Sequence, residues 1–391
     1  MNLLDRHYYV KNKYTMGSYL YFKEKVGISA SDRTITFEMF SKLTRFLPND
    51  MFEIGSNASD KMTLFILFDS KIKQDGYVLD INTKQEITIH ASSERGVRYA
   101  LAFACSLVEK TDTGYRLPIV FVEDEPSFLY RGLIEGYYGT PWSYEERLEM
   151  FDYFTKMRLN TYLYAPKMDI YHRDKWYLMY PEEELRQLET LVGISKEHLI
   201  DFYYCIAPGH KTNEEAGFRY IDDTDYQRLF AKLDQLLEIG VTDFGLLLDD
   251  IDYQLDAQHK AKFMRPGIAH AEICNRVYHY LQSKVKDTRF VMCPTEYHQI
   301  GESMYRNDLK EHLDPAILVF WTGDNVCAEV ITTQDIATTK EAFGHDLWIW
   351  DNFPVSDFTY GVREYIAPIQ NRSCELSEYA SGYIINPSIH Y

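Results

Sequence analysis

Apolar and polar residues alternate in two different ways along the chain, and the change falls near Pro126. Before it, short segments such as "YVLDIN" and "QEITIHA" alternate with a period of two, which predicts half-buried strands. The stretch "SSERGVRYALAFACSLVEK" predicts one helix, which Ser92 or Ser93 can cap. The apolar face of that helix would consist of Val97, Leu101, Ala104 and Leu107. Residues 1–125 are therefore expected to form a small α+β domain.

After Pro126, short apolar strands alternate with longer amphipathic helices such as "SYEERLEMFDYFTKMR" and "TDYQRLFAKLDQLLEIG", which is the pattern of repeated βα units. About eight strands are predicted, in the order "YRGLIEG", "LNTYLYAP", "IDFYYCIAPG", "TDFGLLLDD", "RFVMCPTEY", "AILVFWTG", "LWIWDN" and "SGYIINP". Eight units in roughly 265 residues fit a (β/α)8 TIM barrel, whose typical size is about 250 residues. Residues 126–391 are therefore expected to form a barrel domain.

Composition agrees with two domains and narrows the class of partner. A chain of 391 residues with 46% hydrophobic content exceeds the usual size of one domain. Its net charge of -18 argues against nucleic-acid or anionic-membrane partners, which require clustered Lys and Arg. No apolar run approaches the roughly 18 residues of a membrane-spanning helix.

The start of the chain and its cysteines favour a cytoplasmic protein. The segment "MNLLDRHYYVKNKYTMG" lacks the basic and apolar parts of a signal peptide. Six cysteines without a CxxC pair lie in apolar stretches and are expected to be buried, reduced thiols rather than disulfides or zinc ligands. The alternative is a secreted chain whose signal segment has been removed.

Two adjacent carboxylates, Asp249 and Asp250, follow the predicted strand in "GLLLDDIDY". An isolated Asp pair is usually a turn or a helix cap, and a calcium loop is disfavoured because Gln254 and Lys260 occupy its Gly and Glu positions. Adjacent strand residues point in opposite directions, so both carboxylates can face one site only where the strand breaks into its loop. Two close carboxylates resist joint ionisation, which would keep one protonated at higher pH.

Other predicted strands also end in polar or aromatic residues, and active sites of TIM barrels lie at these strand ends. The residues concerned are Glu135, Gly136, Lys167, Glu296, Tyr297, Trp321, Thr322, Trp350, Asn352 and Asn386. Flat rings can cover the apolar face of a sugar, while amides and carboxylates bind its hydroxyls. The set predicts a sugar-binding site.

Seven of these segments, in this order, resemble the catalytic barrel of glycoside hydrolase family 84, the O-GlcNAcase family of β-N-acetylglucosaminidases: "RGLIEGYYGTPWS", "NTYLYAPK", "LLLDDID", "CPTEY", "WTG", "IWDN" and "INP". The resemblance covers about residues 130–388, and residues 1–125 resemble the small domain that precedes the barrel in bacterial members. It implies a retaining hydrolase in which the substrate's own acetamido oxygen attacks the anomeric carbon and forms an oxazoline. It implies no metal and no cofactor.

The resemblance also implies roles for individual residues. Asp249 would orient and polarise the acetamido N–H, and Asp250 would protonate the leaving oxygen and then activate water. The sugar-binding positions would be Gly136 and Lys167 for hydroxyls, Tyr297 for the acetamido oxygen, Trp350 and Asn352 for the acetamido pocket, and Asp357 with Asn386 for the far edge of the sugar. Taken singly, Trp350 would be assigned to the core and Asp357 to a loop cap.

Two departures from the family pattern bear on function. Met168 stands in "APKMD" where the family usually has Asp, which puts the position of Lys167 in doubt. The chain stops at "INPSIHY" and is expected to lack the eighth barrel helix, either because it is truncated or because something else covers the exposed flank. In the second case, the exposed flank would be covered by a partner subunit, by a second copy of the chain or by the N-terminal domain.

Three functional hypotheses follow from the sequence. The first is a β-N-acetylglucosaminidase that acts on terminal GlcNAc. The second is a catalytically weak relative that binds GlcNAc-bearing glycans, and the third is a scaffold subunit that docks a partner through the uncovered barrel flank. For the first hypothesis, the sequence does not decide whether the GlcNAc is removed from a glycoprotein, a glycan or a small glycoside.

Overall fold

The structure is a computed structural model that describes residues 10–31, 35–55, 61–209, 211, 217–251, 254–357 and 368–387. The chain divides into two compact units. One consists of Met1–Leu129 with Lys156–Arg158, and the other of Tyr130–Thr155 with Leu159–Tyr391.

The N-terminal unit is an α+β sheet domain, as the alternating pattern predicted. Its strands are β1 (Asn12–Phe22), β2 (Val26–Ala30), β3 (Phe52–Ile54), β4 (Lys61–Phe68), β5 (Tyr77–Ile81), β6 (Glu86–Ala91), β7 (Glu109–Thr111) and β8 (Gly114–Asp124). Its helices are α1 (Phe37–Thr44) and α2 (Glu94–Ser106). The sheet has the order β1-β8-β5-β6-β4-β2-β3, with β7 paired to β8. Pairings are parallel among four of the strands, β2, β3, β4 and β6. Every pairing that involves β1, β5, β7 or β8 is antiparallel, including that of β5 with β6.

The predicted helix in this unit is α2. Ser93 caps it, because its side chain accepts a hydrogen bond from the backbone N–H of Gly96. The four residues predicted for its apolar face are buried in one hydrophobic core with the inward-facing positions of β4, β5 and β6. The apolar residues of α2, which repeat about every 3.6 positions, therefore pack in one core with strand residues that repeat every two positions.

The second unit contains a closed barrel of eight parallel strands, which confirms the predicted fold class. The strands are β9 (Tyr130–Ile134), β10 (Thr161–Tyr164), β11 (Asp201–Ile206), β12 (Asp243–Leu247), β13 (Phe290–Cys293), β14 (Leu318–Trp321), β15 (Leu347–Asp351) and β16 (Ala380–Ile385). The helices are α3 (Tyr144–Met157), α4 (Glu182–Glu197), α5 (Asp223–Glu238), α6 (Ala257–Phe263), α7 (Pro266–Lys284), α8 (Met304–His312) and α9 (Thr333–Phe343). All eight predicted strands are present.

Side chains fill the barrel interior, so it is a packed core and not a pore. Trp348 of β15 lies fully buried there, with ring centroids of Tyr203 at 5.4 Å and Phe320 at 5.8 Å in edge-on contact. At the opposite end from the strand carboxyl termini, Arg289 donates to Asp243 at 2.6 Å and to Asp201 at 2.9 Å. This guanidinium joins the starts of neighbouring strands β11 and β12.

The eighth helix that the sequence analysis expected to be missing would follow β16, and residues 388–391 lie outside the described part of the chain. Between β15 and β16, the described residues include a short 3-10 helix, Cys374–Glu378.

All six cysteines lie in described segments and carry free thiols, but the expectation that all are buried was wrong. Cys374 is exposed because it begins the short 3-10 helix at the surface, and Cys327 is half-buried. None of the helices within the described ranges has the length and apolarity to cross a bilayer. Among the same residues, no three His, Cys, Asp or Glu side chains are grouped so that they could hold a metal ion.

We expect Gly132→Ala in β9 to destabilise the barrel by about 3 kcal/mol or more, because overpacking a rigid site forces the backbone to move. A Cβ at Gly132 would lie 1.6 Å from the backbone oxygen of Thr161 in β10. The matched control is Gly193→Ala in α4, where a Cβ meets nothing within 4 Å, and it should stabilise by about 1 kcal/mol. Urea unfolding followed by tryptophan fluorescence measures both, and an equal response of the two variants would contradict the packing argument.

Candidate active site

A cavity of about 530 Å³ opens at the carboxyl ends of the barrel strands. It is lined by Gly136, Tyr138, Lys167, Asp249, Asp250, Cys293, Tyr297, Thr322, Asn325, Val326, Cys327, Trp350, Asn352, Val355, Asp357 and Asn386. The lining includes all nine residues to which the family resemblance assigned a role in catalysis or sugar binding. They come from the ends of six different strands or the loops that follow them.

The two adjacent aspartates enter the cavity where β12 ends. The backbone N–H of Leu248 still donates to Cys293 O at 2.9 Å, so the ladder with β13 continues up to the residue before Asp249. Lys167, just after β10, places its Nζ 2.7 Å from Asp249 Oδ2 and 3.6 Å from Asp250 Oδ2. The Lys167 side chain is 3% exposed and that of Asp250 is 35% exposed. One buried ammonium therefore lies against both carboxylates.

This ion pair decides the charge state of Asp249. Burial alone would raise the pKa of Asp249, but the ammonium of Lys167 outweighs burial and holds that pKa below its usual range. Burial alone would lower the pKa of Lys167, and the charges of Asp249 and Asp250 raise it instead. Both members of the pair are charged at neutral pH. The two adjacent carboxylates are visible in the sequence, whereas the cation that lies against both of them is not.

Met168, the departure from the family pattern, does not displace Lys167. Its side chain is 63% exposed, whereas Asp249 holds the lysine directly. The next residue, Asp169, accepts hydrogen bonds from the hydroxyls of Tyr164 at 2.8 Å and Tyr180 at 2.5 Å. The loop after β10 is therefore anchored by Asp169 and Asp249, without a carboxylate at position 168.

Two residues that the sequence analysis missed contact Asp250. The hydroxyl of Tyr138 donates a short hydrogen bond to Asp250 Oδ2, and Arg173 Nη2 donates to the Tyr138 hydroxyl at 2.9 Å. The guanidinium of Arg173 lies 4.0 Å from Asp250 Oδ2. The backbone N–H of Tyr138 donates to Asp357 Oδ2 at 2.8 Å. Tyr138 thus links the carboxylate predicted to be the acid/base to the one predicted to grip the far edge of the sugar.

An indole and two amides form another wall of the cavity. Asn352 Oδ1 accepts from Trp350 Nε1 at 2.8 Å and from Asn386 Nδ2 at 2.9 Å. Asn386 Oδ1 accepts in turn from the backbone N–H of Gly136 at 3.3 Å. A Cβ at Gly136 would lie 2.6 Å from Trp350 Cζ2, so glycine is needed for the indole to pack against β9. These bonds fix the orientation of both amides.

Two further residues stand out among the cavity lining. Burial, followed by the charge of Asp250, raises the pKa of Tyr297, so its hydroxyl keeps its proton and can donate a hydrogen bond. Burial, followed by the charges of Asp357 and Asp351, raises the pKa of Cys327 to about 11, so that thiol is also protonated at neutral pH. Sequence reasoning missed Cys327, because a single cysteine in a loop gives no signal of its position in the fold.

Three strand-end residues from the sequence analysis point away from the cavity, which corrects the expectation that they bind ligand. Glu135 is fully buried and forms a bidentate pair with Arg147 at 2.8 and 2.9 Å. Glu296 accepts a short hydrogen bond from Ser303, and Trp321 Nε1 donates to Gln299 O at 2.8 Å. Alternation along a strand puts neighbouring residues on opposite sides, so only some of them can face the mouth of the barrel.

Residues 131–391 match the model of a protein family described as NAGidase, beta-N-acetylglucosaminidase. The chain belongs to this family. It is glycoside hydrolase family 84, as the ordered motifs predicted. Similar curated proteins include the Protein O-GlcNAcase of Rattus norvegicus and that of Mus musculus, each 36% identical over 266 residues. The alignment covers 66% of this chain and only 28% of each relative, so the chain spans under a third of their length.

Two solved structures of relatives are also similar to this β-N-acetylglucosaminidase family member. CpGH84B superposes with a TM-score of 0.82 at 27% identity, over 97% of this chain and 67% of that chain. A mutant of the Thermobaculum terrenum O-GlcNAc hydrolase superposes with a TM-score of 0.64 at 33% identity, over 68% of this chain and 56% of that one. The similarity to CpGH84B includes the N-terminal unit, because it covers nearly the whole chain.

We expect Lys167→Met to raise the pKa of Asp249, because the ammonium that offsets its burial is gone. Carbon-detected NMR titration of the aspartate carboxyl groups measures this shift. The matched control is Met168→Asp, whose exposed side chain should leave the titration of Asp249 close to that of the wild type. Identical titrations for Lys167→Met and the wild type would contradict the assigned cause.

The same substitution should change the pH dependence of stability. A carboxyl whose folded pKa is lowered stabilises the fold above its unfolded pKa of about 4, and that contribution is lost as pH falls through the folded value. Removing one partner of a buried ion pair costs about 3–5 kcal/mol. The stability gap between the wild type and Lys167→Met should therefore be widest near neutral pH and narrow on acidification.

Proposed function

We propose that this chain is a retaining β-N-acetylglucosaminidase that hydrolyses terminal β-linked GlcNAc by substrate-assisted catalysis. The observation that carries the proposal is the convergence on one cavity of the nine residues to which the family resemblance assigned roles, Asp249 and Asp250 among them. Membership in glycoside hydrolase family 84 and the similarity to O-GlcNAcases support the activity.

In the first step, the acetamido oxygen of the substrate attacks the anomeric carbon, and the bond to the leaving oxygen breaks. Asp250 gives its proton to that oxygen, and Asp249 accepts a hydrogen bond from the acetamido N–H, so that the positive charge developing on the forming ring is opposed by a carboxylate. The lowered pKa of Asp249 suits this task, because the residue must stay ionised while a neighbouring carboxyl group carries a proton.

In the second step, water attacks the anomeric carbon, the bond between that carbon and the acetamido oxygen breaks and restores the acetamido group, and Asp250 takes a proton from the attacking water. Two inversions at one carbon retain the configuration. Asp250 suits the proton exchange, since its side chain is about one-third exposed at the cavity. The hydroxyl of Tyr138 donates to its Oδ2, and Arg173 donates to that hydroxyl, so these bonds restrict the orientation of the carboxylate.

Sugar recognition is assigned to the remaining lining residues. Tyr297 would donate to the acetamido oxygen, and Trp350 with Asn352 would enclose the acetamido group. Asp357 and Asn386 would bind hydroxyls at the far edge, with Gly136 and Lys167 nearby. We propose a GlcNAc-bearing glycoprotein, glycan or small glycoside as substrate. The cytoplasmic location expected from the sequence stays a prediction.

The first experiment is release of 4-methylumbelliferone from its β-GlcNAc conjugate by the purified chain, with the β-GalNAc and β-glucose conjugates alongside. We expect turnover of the GlcNAc conjugate and none of the glucose conjugate, which lacks the acetamido nucleophile. Turnover of glucose would contradict acetamido assistance. GlcNAc binding without any turnover would favour the second hypothesis, a glycan-binding relative.

Asp249→Asn and Asp250→Asn should each remove most turnover, and loss of general acid–base assistance typically costs about 10² to 10⁴-fold. A conjugate with an excellent leaving group, such as 2,4-dinitrophenol, should rescue Asp250→Asn more than Asp249→Asn, because only Asp250 assists departure. The measurement is kcat/KM for both conjugates in both variants. Equal losses on good and poor leaving groups would refute this division of roles.

A further inference from the structure

The loop that carries Tyr297 runs from the end of β13 at Cys293 to the start of α8 at Met304, and it has no regular backbone pairing of its own. Two of its residues adopt left-handed backbone conformations, Gln299 with φ of 76° and Gly301 with φ of 88°. Such a loop presents its carbonyl groups to the interior, where each needs a donor. What satisfies these carbonyls therefore also determines where the Tyr297 side chain lies.

One guanidinium supplies most of these donors. Arg306, in the first turn of α8, is 2% exposed and lies 4.7 Å from the ring centroid of Phe343 in α9. It donates to four loop carbonyl oxygens, those of Glu296 at 3.2 Å, His298 at 2.6 Å, Gln299 at 3.1 Å and Gly301 at 2.6 Å. Glu296 and His298 are the two neighbours of Tyr297 in the chain, so Arg306 holds the backbone on both sides of it.

Tyr297 itself is held from the adjacent strand. Its carbonyl oxygen accepts from the backbone N–H of Thr322 at 2.9 Å, just beyond β14. The Tyr297 backbone is thus fixed at three successive carbonyls, two by Arg306 and one by Thr322. Only a side chain with several donors in a planar fork can reach carbonyls in this arrangement, and a lysine ammonium offers a single point of attachment.

We propose that Arg306 is a positioning residue that sets Tyr297 in the acetamido part of the cavity without itself contacting the sugar. The inference rests on the proposed function for the role of Tyr297. Its physical basis is that a misplacement of about 1 Å in a catalytic group can cost about 10²-fold in rate.

The test is Arg306→Lys, which keeps the positive charge and removes the planar guanidinium with its several N–H donors. We expect kcat on the β-GlcNAc conjugate to fall about 10- to 100-fold, while KM stays within about threefold because Asp357 and Asn386 still bind the sugar. The matched control is Arg265→Lys, whose guanidinium binds Asp308 of α8 at 2.8 Å and is 39% exposed. That variant should keep kcat within about twofold, since the ammonium keeps a positive charge opposite Asp308 and the hydrogen bonds of Arg306 to the Tyr297 loop are left in place.

A double-mutant cycle with Tyr297→Phe separates positioning from general support of the fold. If Arg306 acts through Tyr297, Arg306→Lys should cost less than about threefold in kcat once the Tyr297 hydroxyl is absent. The same loss in both backgrounds would overturn the proposal. If Arg306→Lys does not fold, Phe343→Leu replaces it in the double-mutant cycle, because this substitution removes the ring beneath the guanidinium. An equal loss of kcat with and without the Tyr297 hydroxyl would again overturn the proposal.

Amide hydrogen exchange of residues 295–303 tests the loop contacts without relying on activity. Exchange should be faster in Arg306→Lys than in the wild type and unchanged in Arg265→Lys, and equal exchange in Arg306→Lys and the wild type would overturn the proposal. If the wild-type chain turns over no GlcNAc conjugate, the proposed function fails, and faster loop exchange would still show that Arg306 holds the loop.

Discussion

The closure of a parallel barrel is the constraint on which the site depends. When eight strands run in one direction around a closed sheet, their carboxyl ends share one rim, and residues that follow different strands become neighbours. The contact between the Gly136 backbone N–H and Asn386 Oδ1, at 3.3 Å, joins β9 to the segment after β16 across 250 positions of sequence. No local feature of either segment would bring them together. The barrel also explains why Met168, which stands where the family usually has an aspartate, leaves the other residues of the cavity in place.

Within that rim, the buried ammonium of Lys167 lies against two carboxylates and sets the charge state of Asp249. Two aspartates alone would compete for one negative charge, and the one that is more buried would take up the proton. With the ammonium 2.7 Å from Asp249, the pKa of the more buried carboxylate is held below its usual range instead, and the side chain of Asp250 remains about one-third exposed. The cation therefore makes the surroundings of two chemically identical neighbours different, and the division of roles proposed above rests on that difference. An aspartate in a shielded, ion-paired position is a poor proton donor and a good electrostatic partner for a developing positive charge.

The sequence was enough to predict the eight strands, the cap of α2 and the nine residues that gather in the cavity, because periodicity and ordered motifs are local signals. It was not enough to predict the partners of those residues. Glu135 was assigned to the ligand and instead pairs with Arg147, since the strand pattern identifies neither the side of the barrel that a terminal residue faces nor the charge that meets it there. Tyr138 and Arg173 were missed for the same reason. Their contacts with Asp250 join segments after three different strands, and only the folded chain shows such proximity.

Buried arginines hold the loops and strand ends that carry parts of the cavity wall. Arg372 donates to both oxygens of Asp351 at 2.8 Å and to the carbonyl of Ala328 at 3.0 Å, and so ties the strand end between Trp350 and Asn352 to the loop after β14. Arg306 does the same for the loop of Tyr297, where it donates to four backbone carbonyls. Loops cannot satisfy their own buried carbonyls as helices and strands do, so a loop that must hold a side chain rigidly needs donors from outside. A planar guanidinium meets that need in a small volume. The precision of a site built on loops is thus set by side chains that never touch the ligand, and a substitution among them can alter catalysis while every residue of the cavity lining is unchanged.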